Sequence, residues 1–207
     1  MVTIALVNLK PGTGKTTSAV WLAHTLAADR ARSVILVDAD PAASALEWSD
    51  LAGGFPFRIM GLPVRDLHKR IRGFAAPGDT VVIDAPQLED HGGIARSALL
   101  AADQVVIPCA PTPIEIARTG PVAREIADTD TLRETPARAA VLLNRTVTRA
   151  RSTNDARTVL AGLGYDVLTT AVPRLEIYAQ SYGGPVNVTG DRIWPAVAAE
   201  LTERTTQ

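Results

Sequence analysis

Short apolar runs bounded by turn residues recur along the chain and predict buried strands. The predicted strands cover residues 2–9, 33–40, 55–62, 79–86, 104–110, 139–145 and 165–173. Apolar residues at helical spacing predict helices at about 15–30, 45–52, 64–75, 93–102, 113–127, 153–162 and 192–204. This alternation predicts an α/β fold, with a doubly wound, mostly parallel sheet flanked by helices. No repeat or linker interrupts the pattern, so residues 1–207 are expected to form one domain.

A glycine-containing loop, "KPGTGKTT", joins the first predicted strand to the first helix. Such a junction brings unsatisfied N–H groups and the positive end of a helix to one point, which favours phosphate binding. Lys15 has the position to reach β- and γ-phosphates, and the Thr16 hydroxyl has the position to bind Mg²⁺. The alternative is a glycine-rich turn that only caps a helix. The predicted nucleotide-binding loop contains Lys10, Pro11, Gly12, Thr13, Gly14, Lys15, Thr16 and Thr17.

Acidic residues follow two of the predicted strands. Asp38 and Asp40 end the second strand along the chain, in "VDADP", and Asp84 ends a later one, in "VVIDAP". In open α/β sheets, ligands bind beyond the carboxyl ends of the strands, so the three acids are expected near the glycine loop. A carboxylate there can hold Mg²⁺ through water or orient the water that attacks the γ-phosphate. The alternative for each is a turn or cap residue, which is common for Asp before Pro.

The net charge, the cysteine count and the choice of basic residues limit the functions that the protein can have. A net charge of −1 and a pI near 6.3 argue against a protein that is basic throughout, so any nucleic-acid contact must come from a local patch. The lone Cys109 excludes a disulfide framework within the chain and favours a cytoplasmic protein. Eighteen of the 21 basic residues are Arg, whereas two of the three Lys, Lys10 and Lys15, lie in the loop. This choice suggests that a compact ammonium is required there.

Together these motifs resemble the ParA/MinD family of deviant Walker ATPases, closest to small ParA proteins of plasmid and chromosome partition. "KPGTGKTT" resembles the deviant Walker A loop, with Lys10 as its signature lysine, and "TVVIDAP" resembles Walker B. "VILVDADPAASALEW", "VVIPCAPTPIEI" and "LLNRTVTRAR" resemble segments that follow other strands of the family. The resemblance extends from residue 2 to about residue 190. It implies a P-loop NTPase fold of the deviant Walker type.

The resemblance also implies a catalytic arrangement. The protein would be a Mg²⁺-dependent ATPase, weak without a partner, that forms a homodimer when ATP binds. Lys10 would reach across the dimer to the partner's phosphates, where charge develops during hydrolysis. Lys15 would bind phosphate within its own chain, and Asp40 would orient the attacking water. These three residues are the expected catalytic set.

The remaining site residues follow from the same resemblance. Thr16 and Asp84 would hold the metal ion, with Asp38 in support, and Asn144, Pro173 and Arg174 match regions that contact adenine. The chain lacks the N-K-x-D and T-K-x-D motifs that read guanine, which favours ATP over GTP. Two positions depart from the family. Pro11 stands where glycine is common and removes one N–H, and Gln87 replaces the second proline after Walker B.

A basic stretch, residues 144–157, is the candidate DNA-binding segment. It contains Arg145, Arg149, Arg151 and Arg157 against one acid, Asp155. Contacts from these arginines to the DNA backbone would be independent of sequence and sensitive to salt. The alternative is a solvated lead-in to a helix. The C-terminal residues carry balancing acids, so membrane binding is not expected.

The favoured function is therefore ATP-dependent DNA partition. An ATP-bound dimer would bind nucleoid DNA in the cytoplasm without sequence preference, and a centromere-bound ParB-like adaptor would release it by stimulating hydrolysis. We expect no N-terminal helix-turn-helix extension and hence no specific operator binding. Two alternatives stay open: a ParA-like ATPase that positions a protein cargo, and a monomeric P-loop ligase or kinase, such as a dethiobiotin-synthetase-like enzyme.

Overall fold

Parallel strands build the centre of the molecule in the computed structural model, which describes residues 1–29 and 32–206. Within these ranges the strands are β1 (Val2–Leu6), β2 (Val34–Asp38), β3 (Arg58–Gly61), β4 (Thr80–Asp84), β5 (Gln104–Cys109) and β6 (Arg138–Leu143). They form one sheet in the order β3-β2-β4-β1-β5-β6, and every neighbouring pair is parallel. The predicted doubly wound parallel sheet is confirmed.

Helices cover both faces of this sheet. They are α1 (Lys15–Ala28), α2 (Ser44–Leu51), α3 (Leu67–Arg70), α4 (Leu88–Ala101), α5 (Pro113–Asp130), α6 (Arg151–Gly162), α7 (Glu176–Ala179) and α8 (Ile193–Thr206). Among the described residues, no helix is both long and apolar enough to cross a membrane.

Alternate residues along each strand enter two different cores. Ile4 and Leu6 of β1 pack with Trp21 of α1 on one face, in the core that α2 and α8 also join. Ala5 of the same strand faces the other core, which receives side chains from α3, α4, α5 and α6, such as Leu99. Because both faces are covered, the central strands are mostly apolar instead of alternating with polar residues. This explains why they were recognisable as continuous apolar runs.

The last predicted strand, residues 165–173, is wrong. This segment meets β6 through two isolated parallel bridges, Val141 with Val167 and Thr146 with Pro173. Between the bridges, the N–H groups of Thr169 and Thr170 donate to the carboxylate of Glu200, each at 2.7 Å. A side chain of α8 therefore takes the N–H of Thr170, which a continuous ladder would direct towards β6, and only isolated bridges form.

Other elements also differ from the prediction, and α4 begins at Leu88 instead of residue 93. The helix expected at residues 64–75 is reduced to the short α3, followed by a 3₁₀ turn at Ile71–Gly73. Helix α7 was not predicted, because one isolated turn leaves no periodic signal. The predicted end of the first helix at Arg30 lies outside the described residues.

Candidate nucleotide-binding site

The loop between β1 and α1 adopts a conformation that requires glycine. Gly12 and Gly14 have φ angles of +73° and +90°, in the region that favours glycine. A Cβ atom at Gly14 would also lie 2.6 Å from Nδ2 of Asn144, whose side chain donates to the carbonyl of Thr13 at 3.3 Å. The segment after β6 thus packs against the loop and leaves no room for a side chain at residue 14.

Lys15 begins α1 and points back under the loop. Its side chain is nearly buried, with 6% of the residue exposed, and Nζ donates to the carbonyl of Lys10 at 3.4 Å. Burial lowers the pKa of Lys15, whereas the negative charges of Asp84 and Asp40 raise it. An ammonium held by the loop and faced by two carboxylates is well placed to neutralise phosphate oxygens.

Asp84 ends β4 directly beneath the loop and is 1% exposed. Neither of its carboxylate oxygens makes a hydrogen bond of acceptable geometry within the described part of the chain. Burial raises the pKa of Asp84 to about 7, although the nearby Thr16 hydroxyl opposes this rise. A buried carboxylate without a donor, next to a hydroxyl, fits a hard cation such as Mg²⁺. No group of three His, Cys, Asp or Glu side chains in the described residues could hold a metal without other ligands.

Asp38 and Asp40 occupy different environments although both follow β2. Asp38 is fully buried and accepts from the N–H groups of Asp40, Ala45 and Leu46, at 3.1, 2.9 and 2.9 Å. It therefore fastens the start of α2 to the end of β2. Asp40 is half-buried and borders the phosphate cleft, where its Oδ1 accepts from the N–H of Ala42 at 3.0 Å.

Two adjoining clefts meet at the N-terminus of α1. The phosphate cleft has a volume of about 420 Å³ and is bordered by the loop together with Asp40, Gln87, His91 and Arg145. A base-side cleft of about 540 Å³ is bordered by Asn144, Pro173, Arg174 and Tyr178. Gly14, Thr17 and Arg145 belong to both clefts. The structure thus brings the predicted phosphate and adenine residues together along one continuous groove.

The front of the loop rests on the first turn of α4. The N–H groups of Leu88 and Glu89 donate to the carbonyls of Asn8 and Leu9, at 3.1 and 3.2 Å. The ammonium of Lys10 forms an ion pair with the carboxylate of Glu89. Pro11 is exposed at the tip of the loop. The signature lysine thus has an acidic partner in its own chain, which the sequence did not reveal.

His91 and Gln87 lie beside the phosphate loop, although neither was among the residues predicted for the nucleotide site. Both border the phosphate cleft, and His91 departs from helical geometry inside α4, with φ −128° and ψ 38°. The kink separates the first turn of α4, which contacts the phosphate loop, from the rest of the helix. Gly92 and Gly93, which follow directly, were the available signal for an interrupted helix.

The four arginines proposed for DNA binding lie in three environments. Arg149 and Arg151 are exposed at and just before the start of α6. Arg157 donates to the carbonyls of Leu168 and Thr169 at 2.6 and 2.9 Å, so its guanidinium ties α6 to the segment beside β6. Arg145 borders the two clefts of the nucleotide site. The basic stretch is therefore not one continuous surface.

Comparison with known protein families shows to which family this chain belongs. Residues 4–186 match the family described as the CobQ/CobB/MinD/ParA nucleotide binding domain, CbiA. The chain belongs to this family. Its resemblance to ParA/MinD proteins is thereby confirmed, and the loop, strand ends and clefts described above lie within the matched region.

Two curated relatives carry the same name, maintenance of carboxysome distribution protein A. The protein of Halothiobacillus neapolitanus is 31% identical over 190 residues, which cover 90% of this chain and 86% of the relative. That of Gloeobacter kilaueensis is 38% identical over 118 residues, which cover 55% of this chain and about half, 51%, of the relative.

Solved structures of low sequence identity share the fold. Apo McdA from Cyanothece is 16% identical with a TM-score of 0.79, covering 99% of both chains. Cobyrinic acid a,c-diamide synthase from Mycobacterium smegmatis, with ADP and magnesium, is 18% identical with a TM-score of 0.75, covering 100% of this chain and 96% of that one. The cell division ATPase MinD from Pyrococcus furiosus is 21% identical with a TM-score of 0.72, covering 98% of this chain and 99% of that one. These similarities confirm the P-loop NTPase fold.

Proposed function

We propose that this protein is a ParA-type ATPase that positions a large protein assembly. One observation carries the proposal: a relative matched over 90% of this chain is a carboxysome distribution protein. This favours the protein cargo that the sequence left as an alternative over the plasmid or chromosome partition that it ranked first. The cargo class is a protein body too large to distribute evenly by diffusion alone.

ATP with Mg²⁺ is the proposed ligand of the groove. Family membership supports a nucleotide, and a Cyanothece McdA variant is known as an ATP complex. In this chain, Lys15 and the loop amides would bind the β- and γ-phosphates, while Thr16 would bind the metal ion directly and Asp84 through water. The buried carboxylate of Asp84 supports this assignment, because its oxygens lack hydrogen-bond donors within the described part of the chain and could accept a hydrated cation. Asn144, Pro173 and Arg174 would border the adenine.

Hydrolysis is proposed to depend on Asp40 and on a second copy of the chain. Asp40 stands at the edge of the phosphate cleft, where it would orient the attacking water. Lys10 lies at the loop front, half-buried and paired with Glu89, so it is not committed to the phosphate cleft of its own chain. In an ATP-bound homodimer, Lys10 would stabilise the partner's phosphates as negative charge develops.

The nucleoid is the proposed track for positioning. Arg149 and Arg151 are exposed and would contact DNA phosphates without reading sequence, and a homodimer doubles their number. An adaptor on the cargo would release the dimer by stimulating hydrolysis. The relatives favour an adaptor other than a centromere-binding ParB-like protein. The protein would therefore act in the cytoplasm on nucleoid-associated cargo.

Imaging in the native host tests the proposal. Deleting the gene should cause a protein body to cluster or segregate unevenly, and the wild-type gene, but not an Asp40→Ala allele, should restore its spacing. Stable protein bodies combined with plasmid loss would instead support DNA partition. ATP turnover that requires a small acceptor molecule and ignores DNA would support the monomeric ligase or kinase.

A further inference from the structure

We infer that Arg145 is a nucleotide-binding residue whose guanidinium holds the α–β part of the phosphate chain. The inference rests on the proposed binding of ATP in the groove. Arg145 shares both clefts with Gly14 and Thr17, which places it between the residues proposed for the γ-phosphate and those proposed for the base. It therefore belongs to the nucleotide site instead of the DNA-binding surface to which its sequence neighbourhood assigned it.

The backbone around Arg145 directs the side chain towards the loop. Arg145 has a φ of +54°, which is uncommon for a residue with a side chain, and its N–H donates to Oδ1 of Asn144 at 2.8 Å. Hydrogen bonds fix both neighbours of Arg145. The N–H of Asn144 donates to the carbonyl of Cys109 at 2.8 Å, and the N–H of Thr146 donates to the carbonyl of Val172 at 3.1 Å. The chain thus turns out of β6 at Arg145 while the flanking residues stay fixed.

The guanidinium of Arg145 lies over the start of α1. Its Nη2 atom is 3.7 Å from the position that a Cβ on Gly14 would occupy. Loop amides converge at this point, and a guanidinium adds a pair of N–H donors that match phosphate oxygens in geometry. The side chain is exposed, so nothing in its packing blocks contact with a ligand in the groove.

The position of Arg145 within the groove indicates that it contacts the α- and β-phosphates. Lys15 and Asp40 border the phosphate cleft alone, and Pro173 and Tyr178 border the base-side cleft alone. Arg145 stands where the two join. A contact there is made equally with ATP and ADP, because both carry the α- and β-phosphates. Arg145 should therefore stabilise the bound nucleotide and the transition state equally, which raises nucleotide affinity without accelerating hydrolysis.

Arg149 is a matched control. It has the same side chain, is also exposed, and also has a positive φ, of +64°, but it borders neither cleft. Glutamine at either position removes one charge and keeps a comparable backbone strain. A difference between the two variants therefore reports on the position of the guanidinium.

Titrations with fluorescent ADP and a slowly hydrolysed ATP analogue, both with Mg²⁺, test the inference. Arg145→Gln should weaken both nucleotides by about tenfold to a hundredfold, the range for a lost charge-assisted contact. The nucleotide affinity of Arg145→Lys should lie between those of the wild type and Arg145→Gln, because lysine keeps the charge but lacks the paired N–H donors of the guanidinium. Arg149→Gln should bind both nucleotides like the wild type. At saturating nucleotide, Arg145→Gln should bind random DNA as tightly as the wild type, whereas Arg149→Gln should bind it more weakly.

Three results would overturn the inference. Arg145→Gln could bind both nucleotides normally and lose DNA, which would return Arg145 to the DNA surface. It could instead lose affinity for the ATP analogue alone, which would move its contact to the γ-phosphate. Finally, a wild-type protein that binds neither nucleotide would overturn the proposed function together with the inference, whereas the first two results leave that function standing.

Discussion

Lys10 of the phosphate loop and Glu89 of α4 form an ion pair at the edge of the nucleotide groove. The pair is partly exposed, with 33% and 47% of the two side chains accessible. The backbone bonds from Leu88 and Glu89 to the loop keep the two residues opposite each other. If Lys10 acts on the partner's phosphates, it must first leave Glu89, so this pair opposes dimerisation.

Replacing Glu89 by Gln should therefore favour the ATP-bound dimer. An exposed ion pair typically contributes about 0.2–1 kcal/mol, and each dimer breaks two of these pairs, so the protein concentration at half-dimerisation should fall by about twofold to thirtyfold. Light scattering across a dilution series with ATP and Mg²⁺ measures this midpoint. Glu125→Gln, which removes the ion pair with Arg96 on the far part of α4, is the control and should leave it unchanged. Equal midpoints for both variants would contradict the proposed role of Glu89.

Asp40→Ala should produce a persistent ATP-bound dimer. Without the carboxylate at the cleft edge, the attacking water is no longer oriented, and hydrolysis should fall by about a hundredfold or more. Phosphate release measures the rate, and gel filtration with ATP measures the dimer. Asp38→Asn should differ by destabilising the fold, because Asp38 accepts three backbone N–H groups at the start of α2. An Asp40→Ala protein that stays monomeric at saturating ATP rules out the assignment.

Gly14→Ala should impair both folding and nucleotide binding. The new Cβ would meet Nδ2 of Asn144 at 2.6 Å, and the φ of +90° disfavours any side chain. We expect a loss of about 1–3 kcal/mol in the free energy of unfolding, measured by chemical denaturation. Gly12→Ala is the control, since φ is +73° but no described atom lies within 4 Å of its Cβ. Equal losses in the two variants would show that backbone conformation alone, and not Asn144, requires glycine.

Stability of the nucleotide-free protein should fall as pH rises from about 4 to 8. Burial raises the pKa of Asp84 from 3.8 to about 7, so the folded state binds more protons than the unfolded state between these values. The stabilising proton is lost as pH passes the folded-state pKa, at a cost of up to about 4 kcal/mol. Asp84→Asn should flatten this dependence in denaturation series at several pH values without Mg²⁺. A wild-type curve parallel to that of Asp84→Asn would contradict the raised pKa.

Changing Arg149 and Arg151 together to Gln should weaken the retention of random DNA without altering ATP affinity. Each lost phosphate contact should reduce the slope of log affinity against log salt by about 0.9. Gel shifts at several salt concentrations measure this slope. Arg157→Gln should leave it unchanged and lower thermal stability instead, because its guanidinium binds the carbonyls of Leu168 and Thr169. An unaltered slope in the double variant would exclude this surface.

Local pattern determined most of the architecture and the centre of the site. The β1 and β4 runs are apolar because both faces of a parallel sheet are buried, and this property is visible in one sequence. Gly12, Gly14, Lys15 and Thr16 are adjacent in the chain, so their joint chemistry could be predicted from spacing. The carboxyl ends of β2 and β4 lie together in any parallel sheet, which made the acids predictable as a group.

Contacts between distant segments decided the rest. Whether residues 165–173 continue the sheet depends on Glu200 of α8, which accepts two of their N–H groups, and no local pattern shows this. The four arginines of residues 144–157 look alike in sequence, yet Arg145 borders both clefts and Arg157 donates to the carbonyls of Leu168 and Thr169. The sequence by itself determined most of the strands and helices, and it placed the glycines, lysines and acids at the loop and the strand ends. Only the tertiary structure decided which side chains face the nucleotide groove, because those directions depend on packing partners far away in the chain.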